Sequence, residues 1–195
     1  MDNVQLKIDK VLKDFWQNYL PKEYNNDNLL KEDSLKCLMY YHLRTYLSDN
    51  WLNRHRIRIF PEFVLAQGKR ADIAIVQLIP TSQRVDKHLS DCVEKVMGIV
   101  ELKFKSADVI DAFYADVKKL HDYSKMYPDC QLYAGFVHEE RYNDTNCSWF
   151  DGRQTSKWAK GRVSELLGYW DKTTDSFTTK VLAYNQLSSL GKANK

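Results

Sequence analysis

No CxxC pair and no histidine at metal-finger spacing accompany the four cysteines, Cys37, Cys92, Cys130 and Cys147, so neither a structural zinc nor a dithiol redox centre is signalled. A disulfide framework is not expected in a chain of 195 residues, which is long enough to hold a core without covalent staples. No run approaches the roughly 18 to 20 apolar residues that cross a bilayer. The stretch MDNVQLKIDKV has no uninterrupted apolar core of the kind a secretion signal needs. A soluble, cytoplasmic protein without a membrane partner is the expectation. Charge of one sign is also lacking: 29 Lys plus Arg against 26 Asp plus Glu leave +3, so a polyanion partner is permitted and any basic surface must be local. Repeats, low-complexity tracts and long linkers are missing too, and a single domain over 1–195 is expected.

What is present is a change of period. Val4, Ile8, Val11, Leu12 and Phe15 recur at helical spacing over 3–18, and Pro21 with NNDN at 25–28 is expected to break that helix. A second helix is expected over 29–48, with Glu32, Leu35, Met39, Leu43 and Tyr46 on one side. From His55 the pattern alternates, bends at Pro61, turns at Gln67-Gly68 and gives a buried strand, ADIAIVQLI, at 71–79. A polar connection from Pro80 to about Cys92 leads into GIVELKF at 98–104. A helix at about 108–126 follows, with the stripe Ile110, Phe113, Val117 and Leu120. A strand at 131–139, a turn-rich loop RYNDTNC, a helix at 153–168 and a strand at 177–184 complete the reading.

Charged residues interrupt two of the apolar strands. Ionised groups are rarely left in a core without partners. Yet Asp72 sits inside ADIAIVQLI, and Glu101 and Lys103 sit inside GIVELKF. Side chains two apart in a strand share a face, so Glu101 and Lys103 project together, and Asp72 joins them if the two strands pair. Two carboxylates can hold a hard divalent ion such as Mg²⁺, with water and phosphate oxygens completing the shell. The ion would polarise a scissile phosphate, and Lys103 would orient the nucleophile or neutralise transition-state charge. Glu32, on the inward side of its helix, could hydrogen-bond a metal water or help hold a second ion.

At these positions the chain resembles the PD-(D/E)xK phosphodiesterase superfamily, which has the restriction-endonuclease-like fold. The family pattern is an acid on the first core helix, an acid in the second core strand and ExK in the third. Its matches here are Glu32 in KEDSLKCLMYYHLRTYL, Asp72 in KRADIAIV, and Glu101-Leu102-Lys103 in GIVELKF; DVKKLHDY at 116–123 is similar to the family helix that follows. The resemblance covers about 29–137. It implies an α/β fold with a three-layer core, a central mixed sheet flanked by helices. It also implies Mg²⁺ or Mn²⁺ held by Asp72, Glu101 and the Leu102 carbonyl, and hydrolysis of a phosphodiester bond in nucleic acid, most often DNA. The 29 positions from Asp72 to Glu101 require an insertion at 80–93 to loop out.

Each of these residues has a structural reading as well. Asp72 could be a solvated strand-end acid, Glu101 and Lys103 a surface ion pair worth under about 1 kcal/mol, and Glu32 a helix-start acid serving the dipole. Arg56, Arg58, Lys69, Arg70, Lys105, Lys118 and Lys119 are candidates for nucleic-acid contact, set against a solvated helix or strand face. A non-catalytic nucleic-acid- or protein-binding module on the same fold is the competing function. A homodimer or a larger assembly is compatible with either.

Overall fold

Residues 73–76, 97–102, 132–138 and 163–168 are buried without interruption, a burden that falls on strands covered from both sides. The structure, a computed structural model, describes residues 3–105, 110–139 and 148–185. In it, β1 (Ile57–Val64), β2 (Arg70–Leu78), β3 (Val93–Lys105), β4 (Gln131–His138), β5 (Val163–Asp171) and β6 (Ser176–Ala183) form one six-stranded sheet in sequence order. Neighbours are antiparallel from β1 to β3, parallel from β3 to β5, and antiparallel again at β6. The fold is therefore α/β, built on a mixed open sheet.

Helices cover both faces, and the alternation along each strand decides which face a side chain meets. Val100, Leu102, Tyr133, Val137 and Leu166 pack with Leu12 of α1 (Asn3–Asp14), with Trp16, and with Leu35, Met39 and Leu43 of α3 (Glu32–Leu47). Their sequence neighbours Ile99, Leu132, Ala134, Phe136 and Leu167 turn the other way, onto Phe113, Val117 and Leu120 of α5 (Ile110–Met126). Between α1 and α3 the chain does not break at Pro21. A π-helical turn at Phe15–Tyr19 leads into α2 (Leu20–Asn25), and the proline falls in the first turn of α2, where its fixed φ suits the helix. The helix α4 (Asp49–Arg54) then leads into β1. Pro61 lies within β1, an edge strand, where a missing ladder donor is tolerated.

One expected element is of a different kind. The helix anticipated over 153–168 is a short α6 (Gly152–Ser156) followed, after a turn in which Gly161 adopts φ of 75°, by the inner strand β5. Val163, Leu166 and Leu167 imitate helical spacing because both faces of this inner strand are buried, Ser164 and Glu165 included, which removes the period-2 signal. The loop RYNDTNC and the first residues of the helix expected from about 108 lie outside the described residues. Among the described residues, no helix is long and apolar enough to cross a membrane.

The 29 positions between Asp72 and Glu101 do not separate their strands. β3 begins as early as Val93, which pairs with Leu78, and short 3₁₀ turns at Thr81–Gln83 and Leu89–Cys92 take up the intervening chain. On the α1 face, Gly135 of β4 sits beside Leu102, where an added Cβ would come within 2.6 Å of Leu102 Cδ2 and 3.1 Å of the Trp16 ring. Trp16 cannot retreat easily, since its Nε1 donates to the Leu167 carbonyl at 2.8 Å in a fully buried position. Gly135→Ala should therefore lower unfolding stability by about 1–3 kcal/mol through overpacking, measured as a drop in urea midpoint at unchanged m-value.

Candidate active site

The ladder between β2 and β3 runs from Leu78–Val93 to Ile73–Val100 and stops. β2 nevertheless continues to Arg70 against β1, and β3 continues to Lys105 against β4. The two strands part at Asp72 and Glu101, which the register sets side by side, one step beyond the last pair and on the same face. A backbone donor facing such a gap needs a partner. Asp72 supplies it: Oδ2 accepts from the Leu102 N–H at 2.7 Å.

Two helices close over this fork, each bringing an acid and a lysine. From the first turn and a half of α3, Lys36 lies 3.2 Å from Asp72 Oδ1 and also pairs with Glu62 of β1. Glu62 pairs in addition with Arg70 at 2.8 Å, and its own φ is 53°, in the left-handed region that a glutamate rarely occupies. Glu32, at the start of α3, reaches Lys103 Nζ at 3.0 Å. From α5, Asp116 Oδ2 lies 3.1 Å from Lys103 Nζ, an ion contact whose angle does not make a hydrogen bond. Asp116 Oδ1 lies 2.7 Å from Lys119 Nζ, which is also 3.2 Å from Glu101 Oε2. Acids and lysines therefore alternate across the fork, and no acid in it touches only other acids.

Burial sets the protonation of the cluster. Glu101 is 1% exposed, and desolvation, reinforced by the Asp72 and Asp116 charges and opposed by Lys119, pushes its carboxyl up to about 8. Burial pulls the Lys103 ammonium down, but Glu32 and Asp116 outweigh it and leave the pKa raised. The same balance holds Lys36 up through Glu62 and Asp72, and Lys119 up through Asp116 and Glu101. Tyr123, buried behind the cluster on α5, donates to the Arg70 carbonyl at 3.1 Å; burial first and then Glu101 raise its phenol.

The four residues singled out as catalytic, Glu32, Asp72, Glu101 and Lys103, thus lie in one connected cluster, with Leu102 joined to it through its N–H. The candidates for nucleic-acid contact are dispersed. Arg56 pairs with Glu94 and the Leu78 carbonyl, Arg58 donates to the Ile57 carbonyl, and Lys69 pairs with Asp122 on α5. Arg70 is held by Glu62, and Lys119 by Glu101 and Asp116, inside the cluster. Lys118 is exposed on α5, and Lys105 is half-buried at the end of β3. Sequence reasoning gave no catalytic role to Lys36, Glu62 or Asp116. Only the i, i+3 spacing of Asp116 and Lys119 and the i, i+4 spacing of Glu32 and Lys36 hinted that each helix carries a charged pair.

The donor set suits a hard cation. Asp72 and Glu101 offer oxygen only, and Glu101 Oε1 is buried without a hydrogen-bond partner among the described residues. No group of three or more His, Cys, Asp or Glu side chains that could hold a metal is found among the described residues, so the fit rests on the two strand carboxylates and backbone oxygen. Comparison places nothing beside this cluster: no family model, no curated protein and no solved structure matches the chain.

The raised Glu101 pKa has a defined consequence for the metal-free protein. Between about 4.5, the ordinary value, and about 8, the unfolded chain releases a proton that the folded state keeps, so stability falls as pH rises through that window. At about 1.4 kcal/mol per unit, the group costs on the order of a few kcal/mol by pH 8. Glu101→Gln should flatten this part of the stability profile and raise the melting temperature at pH 8 more than at pH 4.5, as scanning calorimetry would record.

Proposed function

We propose that the protein is a divalent-metal-dependent nuclease on a restriction-endonuclease-like core, with Asp72, Glu101 and the Leu102 carbonyl holding Mg²⁺ or Mn²⁺ and DNA as the substrate. The observation that carries this reading is the parting of β2 and β3 at Asp72 and Glu101, which gathers the acids of two strands and the lysine of the second at one gap. When bound, the ion would polarise the scissile phosphate and make a water nucleophilic at neutral pH.

The residues of the chain divide the remaining work. Lys103 keeps its proton, because Glu32 and Asp116 hold its pKa up, so it serves as a fixed positive charge for a phosphate oxygen or a nucleophilic water and not as a base. Glu32 and Asp116, from opposite helices, fix the direction of its ammonium. Lys119 is half exposed beside Glu101 and is the cation best placed to meet a phosphate arriving from solvent. Phosphate contacts of this kind would give binding that weakens steeply with salt and carries no sequence preference.

A second reading, a non-catalytic nucleic-acid- or protein-binding module, draws on one specific observation: each acid of the cluster already has a lysine within ion-pair distance. Cleavage of duplex, nicked, branched and single-stranded DNA in Mg²⁺ or Mn²⁺ separates the two. The nuclease reading expects chelator-sensitive cleavage that Asp72→Ala, Glu101→Gln and Lys103→Met each lower by at least about a hundredfold. Glu32→Gln should cost less, because Lys103 keeps Asp116. Salt-sensitive binding without metal-dependent turnover would select the module, and equal cleavage by wild type and Asp72→Ala would remove Asp72 from the chemistry.

A further inference from the structure

Lys36 and Lys119 occupy equivalent places in the cluster. Each ammonium touches one of the two strand carboxylates, Lys36 on Asp72 and Lys119 on Glu101, and each also touches a second acid outside that pair, Glu62 for Lys36 and Asp116 for Lys119. Asp72 has one oxygen committed to the Leu102 N–H and the other to Lys36. A divalent ion on Asp72 and Glu101 would therefore stand within a few ångströms of two ammonium groups, and like charges at such range repel strongly where water is scarce. Two single charges equal one double charge, so with both strand carboxylates ionised a one-for-two exchange preserves the charge balance immediately around them.

We propose that Lys36 and Lys119 are the resting counter-cations of this site, and that a divalent ion enters by displacing them, Lys36 moving wholly onto Glu62 and Lys119 wholly onto Asp116. The inference rests on the metal reading above and adds to it a built-in competitor with two prepared refuges. Glu62 is suited to its part: its left-handed backbone is an uncommon conformation for glutamate, and it aims the carboxylate between Lys36 and Arg70. The exchange also leaves Lys119, already half exposed, released from Glu101 on the side open to solvent.

The test is metal binding, not activity. Calorimetric titration of Mn²⁺ into the full metal-free chain should give dissociation constants at least about fivefold lower for Lys36→Met and for Lys119→Met than for wild type. It should give a higher one for Glu62→Gln, which removes a refuge. Lys105→Met, which deletes the same charge from β3 at a residue in no ion pair among the described residues, should stay within about twofold of wild type and so controls for net charge. Because a lysine variant can fail to fold, the wild type is also titrated with Mg²⁺ while the side-chain ¹⁵N resonances of its lysines are followed. Those of Lys36 and Lys119 should shift in step with saturation, and that of Lys105 should not. Tight Mn²⁺ binding with unchanged affinity in both Met variants, or Mg²⁺ saturation with both resonances unmoved, overturns the exchange alone. Absence of binding by every protein overturns the metal site together with it.

Discussion

A single hydrogen bond, from the Leu102 N–H to the Asp72 carboxylate, holds the sheet open where β2 leaves β3. Strands that part inside a two-faced sheet leave backbone donors in a place water cannot easily fill, and such donors are costly when unmet. A carboxylate satisfies the donor but imports a negative charge, and its register neighbour Glu101 would add a second. The surrounding helices then have little freedom in what they present: lysines must reach the gap from both α3 and α5, and further acids must keep those lysines from becoming excess positive charge.

The arrangement is expensive in the resting protein. Glu101 is almost completely buried, and its Oε1 has no hydrogen-bond partner among the described residues, so the folded state prefers the neutral acid over most of the physiological range. A pair of well-packed apolar residues at these strand positions would be cheaper to bury. Buried, incompletely partnered carboxylates with shifted pKa values are concentrated at functional sites, and that is the support the fork lends to the proposed reading. Burial and the partners of each atom carry that support, apart from any family resemblance.

Much of this was legible in the chain. ADIAIVQLI and GIVELKF read as buried strands because apolar β-formers surround their charges, and Asp72, Glu101 and Lys103 stood out by contrast with those neighbours. The stripe of α5 was legible in part: Phe113, Val117 and Leu120 are in the core, whereas Ile110, at the first turn where the helix has not yet come over the sheet, is exposed. The basic residues were less readable, since Arg56 and Lys69 find acids from distant segments and Arg70 finds one across the hairpin, and a count of local charge cannot foresee such pairs. The strand β5 was hidden for a related reason: when both faces are buried, a strand and a helix share the same apolar list.

The partners of Glu101 and Lys103 on α5 follow from the lengths of the elements once the topology is known. β3 and β4 are parallel neighbours, so the helix between them must run back along the strands before the chain re-enters the sheet. From Ile110 to Lys119 a helix advances about 13 Å at about 1.5 Å per residue. From Lys105 back to Glu101 a strand covers about 13 Å at about 3.3 Å per residue. Lys119 therefore comes level with Glu101, and Asp116, three residues earlier and about 4.5 Å short of it, comes level with the stretch from Leu102 to Lys103. Those are the contacts observed. What the sequence withheld was the direction of one pairing, parallel for β3 with β4, because a run of buried residues looks the same whichever way its neighbour points. With that direction supplied, an apparently local Asp116–Lys119 pair becomes the lid of charges over a gap formed some fifteen residues earlier in the chain.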